Sequence, residues 1–318
     1  MADITVGVDL GGTKIQTVVL RDKQVVGSER VLTPASSADD VIAAIVSAAT
    51  SAMTAAGAAL DDVAGVGIGS PGHIDAAHGV VSLSPNVAGF NDPVELGPLV
   101  SKALGGVEVH IDNDVRVAML GEHARGNAAP YSDVLGVFLG TGVGGGLILG
   151  GELREGRGAA GEIGHTMVKP DGRMCSDNKR GHLEAYAGRK QMEVHARSLV
   201  EKGHKTDLFK IMEKKGRVRL SSGVFAAALE KHDKMATSLI DDAVWALGIA
   251  LASAQNLLDL EAIVIGGGLG DRLGAPFIAR VADEIRPQLI SPEKAPAILG
   301  TGLGDLSGAV GAGVLAGG

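Results

Sequence analysis

"ITVGVDLGGTKIQTVVLRDKQVVGSERVL", residues 4–32, reads as strand, glycine turn, strand, charged turn, strand: β-branched runs broken by "GGT" and "RDKQ". Such a run predicts an antiparallel meander. The pattern returns at 135–142, where "LGVFLGTG" lies over the "VGVDLGGT" of 6–13 with the glycines nearly in register. The chain therefore reads as two related halves, each opening with a strand, glycine turn, strand hairpin. Between the hairpins come a helical pattern, "SADDVIAAIVSAATSAMTAAG", with Ser37 or Asp39 as N-cap, and the buried strand "VAGVGIGS". "GVEVHIDNDVRVAMLGEHARG" follows, a strand ending at Ile111 or Asp112 and a helix starting near Asp114. The second half holds a charge-rich helical stretch from about 186 to 235. A long helix comes next, with apolar residues at 239, 240, 244, 247, 250, 251, 254, 257 and 258, then the strand of "EAIVIGGGLG" and a glycine- and alanine-rich C-terminal helix. The absence of a Pro- or Ser-rich linker places a hinge between packed domains near residue 120.

With 318 residues and 45% hydrophobic content the chain can bury a large core. A net charge of −8 argues against a nucleic-acid or membrane surface, since phosphates are bound by a basic field. Met1 to Asp3 run straight into an apolar strand, with no basic segment of the kind that opens a signal peptide. The single cysteine excludes an intrachain disulfide and fits a reducing compartment, so cytoplasm is the expected location. The 48 glycines sit inside periodic segments and cluster at turns, which is where chemistry is sought.

Two stretches match G-x-G-x-x-G: "GIGSPG" (67–72) and "GTGVGG" (140–145). A dinucleotide fingerprint must open a helix, and neither does; the second runs into another strand. A glycine turn between strands can still cradle phosphate, because bare backbone N–H groups form a nest. Thr13 and Thr141 add hydroxyl donors, and Asp9 is placed to hold a hydrated Mg²⁺ beside the phosphates. The competing reading is that these are tight hairpins and nothing more. Two such turns at equivalent places, with "VIGGGLG" after a buried strand, favour a nucleotide clamp. Asn113 and Asp114 fall at a strand end and helix start, where the helix dipole keeps a carboxylate ionised and able to accept a proton. From local sequence alone, an N-cap role fits Asp114 equally well.

The motifs "VDLGGTK", "GIGSPGHID", "SPNVAGF" with "NDPVE", "IDND", "LGTGVGGG", "GAAGEIGH", "HLEAY" and "IVIGGGLG", in this order over nearly the full length, resemble the ROK family of sugar kinases and sugar-responsive repressors. The branch they resemble most is that of the bacterial glucokinases. The resemblance implies an α/β, actin-like (ribonuclease H-like) fold of two domains with a cleft between them. The domains would be 1–120, with a C-terminal helix at about 301–318 packing back on it, and 121–300. It implies ATP-dependent phosphorylation of a hexose, glucose to glucose 6-phosphate first, by a homo-oligomer, dimer or tetramer, with Mg²⁺. Carried over motif by motif, Asp114 matches the general base. Asn113 matches its sugar-binding neighbour, and Asn86, Glu162, His165 and Glu184 match positions holding sugar hydroxyls. Asp9, Gly11, Gly12, Thr13 and Lys14 match one phosphate loop, and Gly140, Thr141 and Gly142 match the other. Gly266, Gly267 and Gly268 match the stretch beside the adenosine.

Glucose, N-acetylglucosamine, N-acetylmannosamine and fructose kinases of the family share these motifs, and pocket shape discriminates among them. The family's repressors carry a helix-turn-helix arm ahead of the first phosphate loop; here that loop begins at Gly7, and the charge is acidic. A catalytically silent sugar sensor is the remaining alternative. "DNDVR" departs from the family's usual small residue and Asn after the base, with Arg116 two places beyond it.

The family's zinc loop, C-x-C-G-x-x-G-C with the His of "GEIGH", is altered in "CSDNKRGH" (175–182): Cys175 is kept, Asp177 and His182 stand where cysteines are usual. His165, Cys175, Asp177 and His182 could still supply four tetrahedral ligands to Zn²⁺. Lys179 and Arg180 put positive charge beside the site, and a metal-free loop held by an Asp177 to Arg180 or His182 contact is the alternative.

Overall fold

A computed structural model describes residues 4–22 and 24–317. Met1–Asp3, Lys23 of the expected charged turn and Gly318 at the end of the expected C-terminal helix lie outside the described residues. Along the chain run β1 (Ile4–Leu10), β2 (Lys14–Arg21), β3 (Gln24–Leu32), α1 (Ala38–Ala55), β4 (Val63–Ser70), β5 (His73–Asp75), β6 (Val80–Ser82), α2 (Leu96–Ala103), β7 (Val109–Asn113) and α3 (Asp114–Arg125). Then come β8 (Val134–Leu139), β9 (Val143–Leu149), β10 (Glu152–Leu153), α4 (Glu184–Ala187), α5 (Arg189–Glu201), α6 (Leu208–Lys214), α7 (Ser222–Glu230), α8 (Lys234–Leu258), β11 (Ala262–Gly266), α9 (Gly267–Ile285), β12 (Ala297–Gly300) and α10 (Ser307–Leu315).

Two compact units result: Met1–Pro130 with Gly302–Gly318, and Tyr131–Thr301. The first unit's sheet has the order β3-β2-β1-β4-β7 and the second's the order β10-β9-β8-β11-β12. In each, three antiparallel strands are followed by two parallel ones, so the hairpins β1–β2 and β8–β9 hold equivalent places. The division falls after Pro130, because residue 120 lies within α3, which continues to Arg125.

In the first unit β1 is buried on both faces, as a central strand flanked by parallel and antiparallel neighbours must be. One face packs Val6, Val8, Leu10 and Ile15 against Val41, Ile45 and Ala49 of α1. Each such side chain contributes roughly 1.5–3 kcal/mol of transfer free energy. Ser37 starts α1 by accepting the N–H of Asp40 (3.2 Å). On the sheet's other face β1 and β4 meet α10 at backbone distance: a Cβ on Gly67 would sit 1.8 Å from the carbonyl oxygen of Ala312, and one on Gly7 2.0 Å from that of Ala309.

Glu122 holds this arrangement. Its carboxylate is fully buried (0% exposed) and accepts Gly302 N–H (2.7 Å), Leu303 N–H (2.9 Å), Ser307 Oγ–H (2.7 Å) and Asn127 N–H (3.2 Å). It thereby fastens α3 to the segment that leads into α10. In the second unit α8 buries Leu239, Ile240, Val244, Leu247 and Leu251 in the core that also takes Val137 of β8 and Ile263 of β11. Leu257, counted in the apolar stripe, lies at the helix end and is 82% exposed. Helix α9 breaks at Gly274 (φ 61°), two residues before Pro276, whose ring cannot follow an unbroken turn.

Replacing Glu122 by Ala leaves several buried donors without an acceptor. We expect the urea unfolding free energy to fall by about 3 kcal/mol or more, with Glu122→Gln losing less; an unchanged urea midpoint for Glu122→Ala would remove the anchoring role.

Candidate active site

In the first unit the tips of β1, β4 and β7 lie side by side, pairing Asp9 with Gly69 and Ser70 with Asn113. This parallel register brings the polar ends of three strands to one edge. The turn after β1 closes through Gly11 N–H to the Lys14 carbonyl (3.0 Å), and Thr33 ties it from outside by donating its hydroxyl to the Gly11 carbonyl (2.6 Å). Gly12 is bare for a reason: a Cβ there would lie 2.6 Å from the carbonyl oxygen of Asn86. Thr13 is exposed at the turn's tip. The phosphate-loop candidates and Asn86 are thus brought together.

Asn113 caps α3, its Oδ1 accepting Val115 N–H (3.0 Å) and Arg116 N–H (3.3 Å). Asp114 is the first helical residue and accepts the N–H of Val115 (2.9 Å). Of the two readings of Asp114, the cap therefore belongs to its neighbour. Asp112, buried beneath, accepts Asn113 N–H (2.7 Å) and pairs with Arg116 (3.2 Å). The unusual arginine is thus engaged with a carboxylate of its own strand–helix junction.

Among the described residues Asp9 has no ion pair of its own. Burial first, and then the Asp114 charge, push its carboxyl up to about 7, against a smaller downward pull from Lys14. Lys14 is itself held 2.9 Å from Asp305, which also takes Arg30 at 3.2 Å. The Lys14 hydrogen bond leads the causes that hold Asp305 below the usual carboxylate range. Gly308 of α10 admits Asp9, since a Cβ there would be 2.7 Å from the carboxylate carbon.

In the second unit, the turn Gly140–Thr141–Gly142 joins β8 to β9, closed by Gly140 N–H to the Gly142 carbonyl (2.9 Å). Arg189 reaches back and donates Nε–H to the Gly140 carbonyl (2.9 Å). Gly266 and Gly267 turn β11 into α9. Gly267 sits at φ 75°, and a Cβ on it would lie 2.6 Å from the backbone nitrogen of Leu139. Only glycine fits that left-handed, crowded position. Gly268 follows in the first turn of α9.

Glu162 is exposed at the start of the short turn Ile163–His165. Glu184 is buried, and both of its oxygens are engaged: Oε2 accepts Val143 N–H (2.9 Å), and Oε1 accepts the Ser176 hydroxyl and the Cys175 thiol (3.6 Å). A Cβ on Gly142 would lie 2.2 Å from Glu184 Oε2. The second glycine turn and the altered cysteine loop are therefore joined through one carboxylate.

His165, Cys175, Asp177 and His182 come together, with one ligand atom from each lying within 4.8 Å of the others. Asp177 Oδ2 is 3.3 Å from His182 Nδ1 and 3.5 Å from His165 Nδ1; Cys175 Sγ is 3.9 Å from His165 Nδ1. A tetrahedron with metal–ligand bonds of about 2.0–2.3 Å has edges of about 3.3–3.8 Å, so these spacings suit a shared cation. The buried His182 Nδ1 has no hydrogen-bond partner among the described residues despite the nearby Asp177 oxygen, as expected of two atoms aimed at a third point. The donor set of two imidazoles, a carboxylate and a thiol fits Zn²⁺. Burial, and after it the Glu184 charge, push the Cys175 thiol up. Burial also acts to raise Asp177, but the Lys179 N–H, the Cys175 thiol and the two imidazoles outweigh it and hold that carboxyl low. Arg180 turns away and donates to the Gly172 carbonyl (3.1 Å), so the metal-free alternative rests on Asp177 with His182 and Lys179 (3.8 Å).

Ser176, Arg189 and Asp305 hold the candidate groups and were not singled out in sequence. Arg189 and Asp305 act across long chain separations, Ser176 acts within its own loop, and a lone serine, arginine or aspartate carries no local signal.

The sequence profile of the ROK family matches residues 5–318. A glucokinase of Streptomyces coelicolor is 30% identical, covering 98% of this chain and 97% of its own. An N-acetyl-D-glucosamine kinase of Mannheimia succiniciproducens is also 30% identical, over 97% and 98%. The structure of a ROK family glucokinase from Streptomyces griseus in complex with glucose and AMPPNP superposes with a TM-score of 0.78 at 31% identity, covering 98% of this chain and 99% of that one. The chain belongs to the ROK family, and its fold is the actin-like, two-domain α/β fold of that family.

The raised carboxyl of Asp9 has a defined sign. Its ionised form is disfavoured in the folded protein, so the cost to stability starts as pH rises above the ordinary value of 3.8 and is complete above about 7. Without divalent cations, Asp9→Asn is expected to raise the melting temperature at pH 8, the gain shrinking as pH falls toward 4; a gain independent of pH would contradict the assignment.

Proposed function

We propose that the protein is an ATP-dependent hexose kinase of the cytoplasm, acting first on glucose to give glucose 6-phosphate and so feeding glycolysis. The observation that carries this is the junction of β7 and α3: Asn113 serves as the cap and Asp114 stands in the first turn, at the positive end of the helix, where a carboxylate is kept ionised for proton chemistry. In this proposal Asp114 accepts the proton of the attacking sugar hydroxyl as the γ-phosphoryl group is transferred. Asn86, Asn113, Glu162, His165 and Glu184 are the hydroxyl partners of the sugar. Asn113 offers its amide N–H groups, its oxygen being taken by the cap. Glu184 keeps one lone pair, on Oε2, for a sugar hydroxyl beyond the three donors it already accepts.

Gly11 to Lys14 and Gly140 to Gly142 offer backbone N–H groups to phosphate, and Gly266 to Gly268 form the turn beside which adenosine would lie. Asp9 is the carboxylate that would hold Mg²⁺, which neutralises phosphate charge when bound. Phosphoryl transfer asks a protein chiefly for such positioning and electrostatics.

The preference for glucose rests on similarity to glucokinases. The equal identity to an N-acetylglucosamine kinase makes an N-acetylhexosamine the second reading. A coupled ADP-release assay across glucose, fructose, mannose, N-acetylglucosamine and N-acetylmannosamine decides between them. Sugar binding with no ADP formed from any of the panel would leave the silent sensor. Asp114→Asn is expected to lower kcat by about 10²–10⁴-fold with sugar affinity nearly unchanged; near-normal turnover would sink the base assignment.

We also propose that His165, Cys175, Asp177 and His182 hold Zn²⁺, which on binding would fix the ring of His165 and brace the loop that carries Ser176. Metal analysis of protein purified without added zinc should find close to one equivalent. A chelator should lower the melting temperature of the wild type and leave that of Asp177→Ala unmoved; metal-free protein indifferent to the chelator would favour the hydrogen-bonded loop.

A further inference from the structure

Within the second unit, on the side of residues 169–182 lined by Lys169, Asp171, Gly172, Arg173 and Arg180, lies a cavity of about 530 Å³ whose remaining walls are Tyr186, Asp242 and Trp245. Its size is that of pockets which take small organic ligands. None of these residues enters the kinase proposal.

The lining is preorganised. Arg173 lies over the face of Tyr186, 4.8 Å from the ring centroid, and Lys169 over Trp245 at 5.9 Å. The two rings meet edge to face with centroids 5.5 Å apart. Such stacking holds cationic heads in place without neutralising them. Asp242 answers Arg173 at 2.5 Å. Lys169 and Arg180 have no carboxylate within salt-bridge reach among the described residues, and the one other lining carboxylate, Asp171, sits at φ 55° and is exposed. Three cations against two carboxylates leave this lining positive in a chain whose net charge is −8. A further donor is in reserve: Arg173 Nη1 is buried without a hydrogen-bond partner.

Unneutralised lysine and arginine heads around a concave, partly aromatic wall are suited to an oxyanion carried on a small organic body. We propose that this cavity binds a phosphate monoester, with Lys169 and Arg180 meeting the phosphoryl oxygens and Trp245 and Tyr186 meeting the organic part. The loop between is shared: Gly181 N–H bonds the Arg173 carbonyl (2.9 Å), and Met174 bridges to Arg180. An occupant of the cavity therefore braces the chain on either side of Cys175, Asp177 and His182.

Trp245 is the sole tryptophan and serves as the reporter. Titrating the full-length protein with glycerol 3-phosphate or inorganic phosphate at constant ionic strength is expected to change its fluorescence saturably. Lys169→Ala and Arg180→Ala should each raise the half-saturation concentration about tenfold, as the loss of one charge-assisted contact predicts, with melting temperatures unchanged. No saturable response to either probe, an undiminished response in the Lys169→Ala Arg180→Ala double variant, or a response matched by sodium chloride would overturn the proposal. So would tighter binding of malonate than of glycerol 3-phosphate, which would make the site one for carboxylates.

Discussion

The buried carboxylate of Glu122 is the contact on which the first unit's geometry depends. The chain leaves this unit after Pro130 and returns at Gly302, so nothing covalent fixes the returning segment beside β1. Four donors converging on Glu122 do so instead. Removing one partner of a buried charged network costs far more than the net gain of forming it, so the segment has one available seat. With the seat fixed, Asp305 lies where Lys14 and Arg30 reach it, and Gly308 lies against Asp9. The bare glycines at 7, 67, 121 and 311 let α10 approach at backbone distance, which turns that hydrogen-bonded anchor into a rigid one.

The electrostatics of the same edge follow from which carboxylates have partners. Asp112 has Arg116, and Asp305 has Lys14 and Arg30. Asp9 is buried and also faces the like charge of Asp114, and its proton affinity rises accordingly. A pair of close carboxylates in one site is costly unless a proton or a cation is shared between them. That cost is of the kind found where a protein handles charge, and it makes Asp9 a poor residue for stability.

The elements were readable in sequence wherever the signal was local. Period-two runs around "GGT" and "GTG" mark the hairpins, Ser37 the start of α1, and the strand–helix switch at "IDND" the junction that places Asn113 and Asp114. The near-register of 6–13 with 135–142 exposed the repeat that the two sheets display. Contacts of long sequence separation were not readable: Glu122 reaches residues about 180 positions away, and nothing near it marks it as more than a helical surface charge. Arg189 escapes notice for the same reason, and Ser176 because a lone serine in a turn carries no signal of its own. Between Asn113 and Asp114, sequence could name the capping position but not its occupant, because both residue types cap well and only the backbone torsions choose.

The loop at 175–182 unites these themes. Two of its side chains differ from the cysteines expected there, yet all four candidate ligand atoms converge and His182 Nδ1 is left without a hydrogen bond. Its neighbour Ser176 donates to Glu184, whose other oxygen takes the amide of Val143 at the second glycine turn. A shift of this loop therefore cannot stay local: it would move a carboxylate wedged against Gly142, where even a methyl group has no room. Thiol, hydroxyl and amide all donate to that one carboxylate, so a thiolate at Cys175 would withdraw one donor and place a negative charge beside it. A cation held at the loop would therefore act on the setting of Glu184 through two neighbouring donors, the Cys175 thiol and the Ser176 hydroxyl, which meet the same carboxylate oxygen.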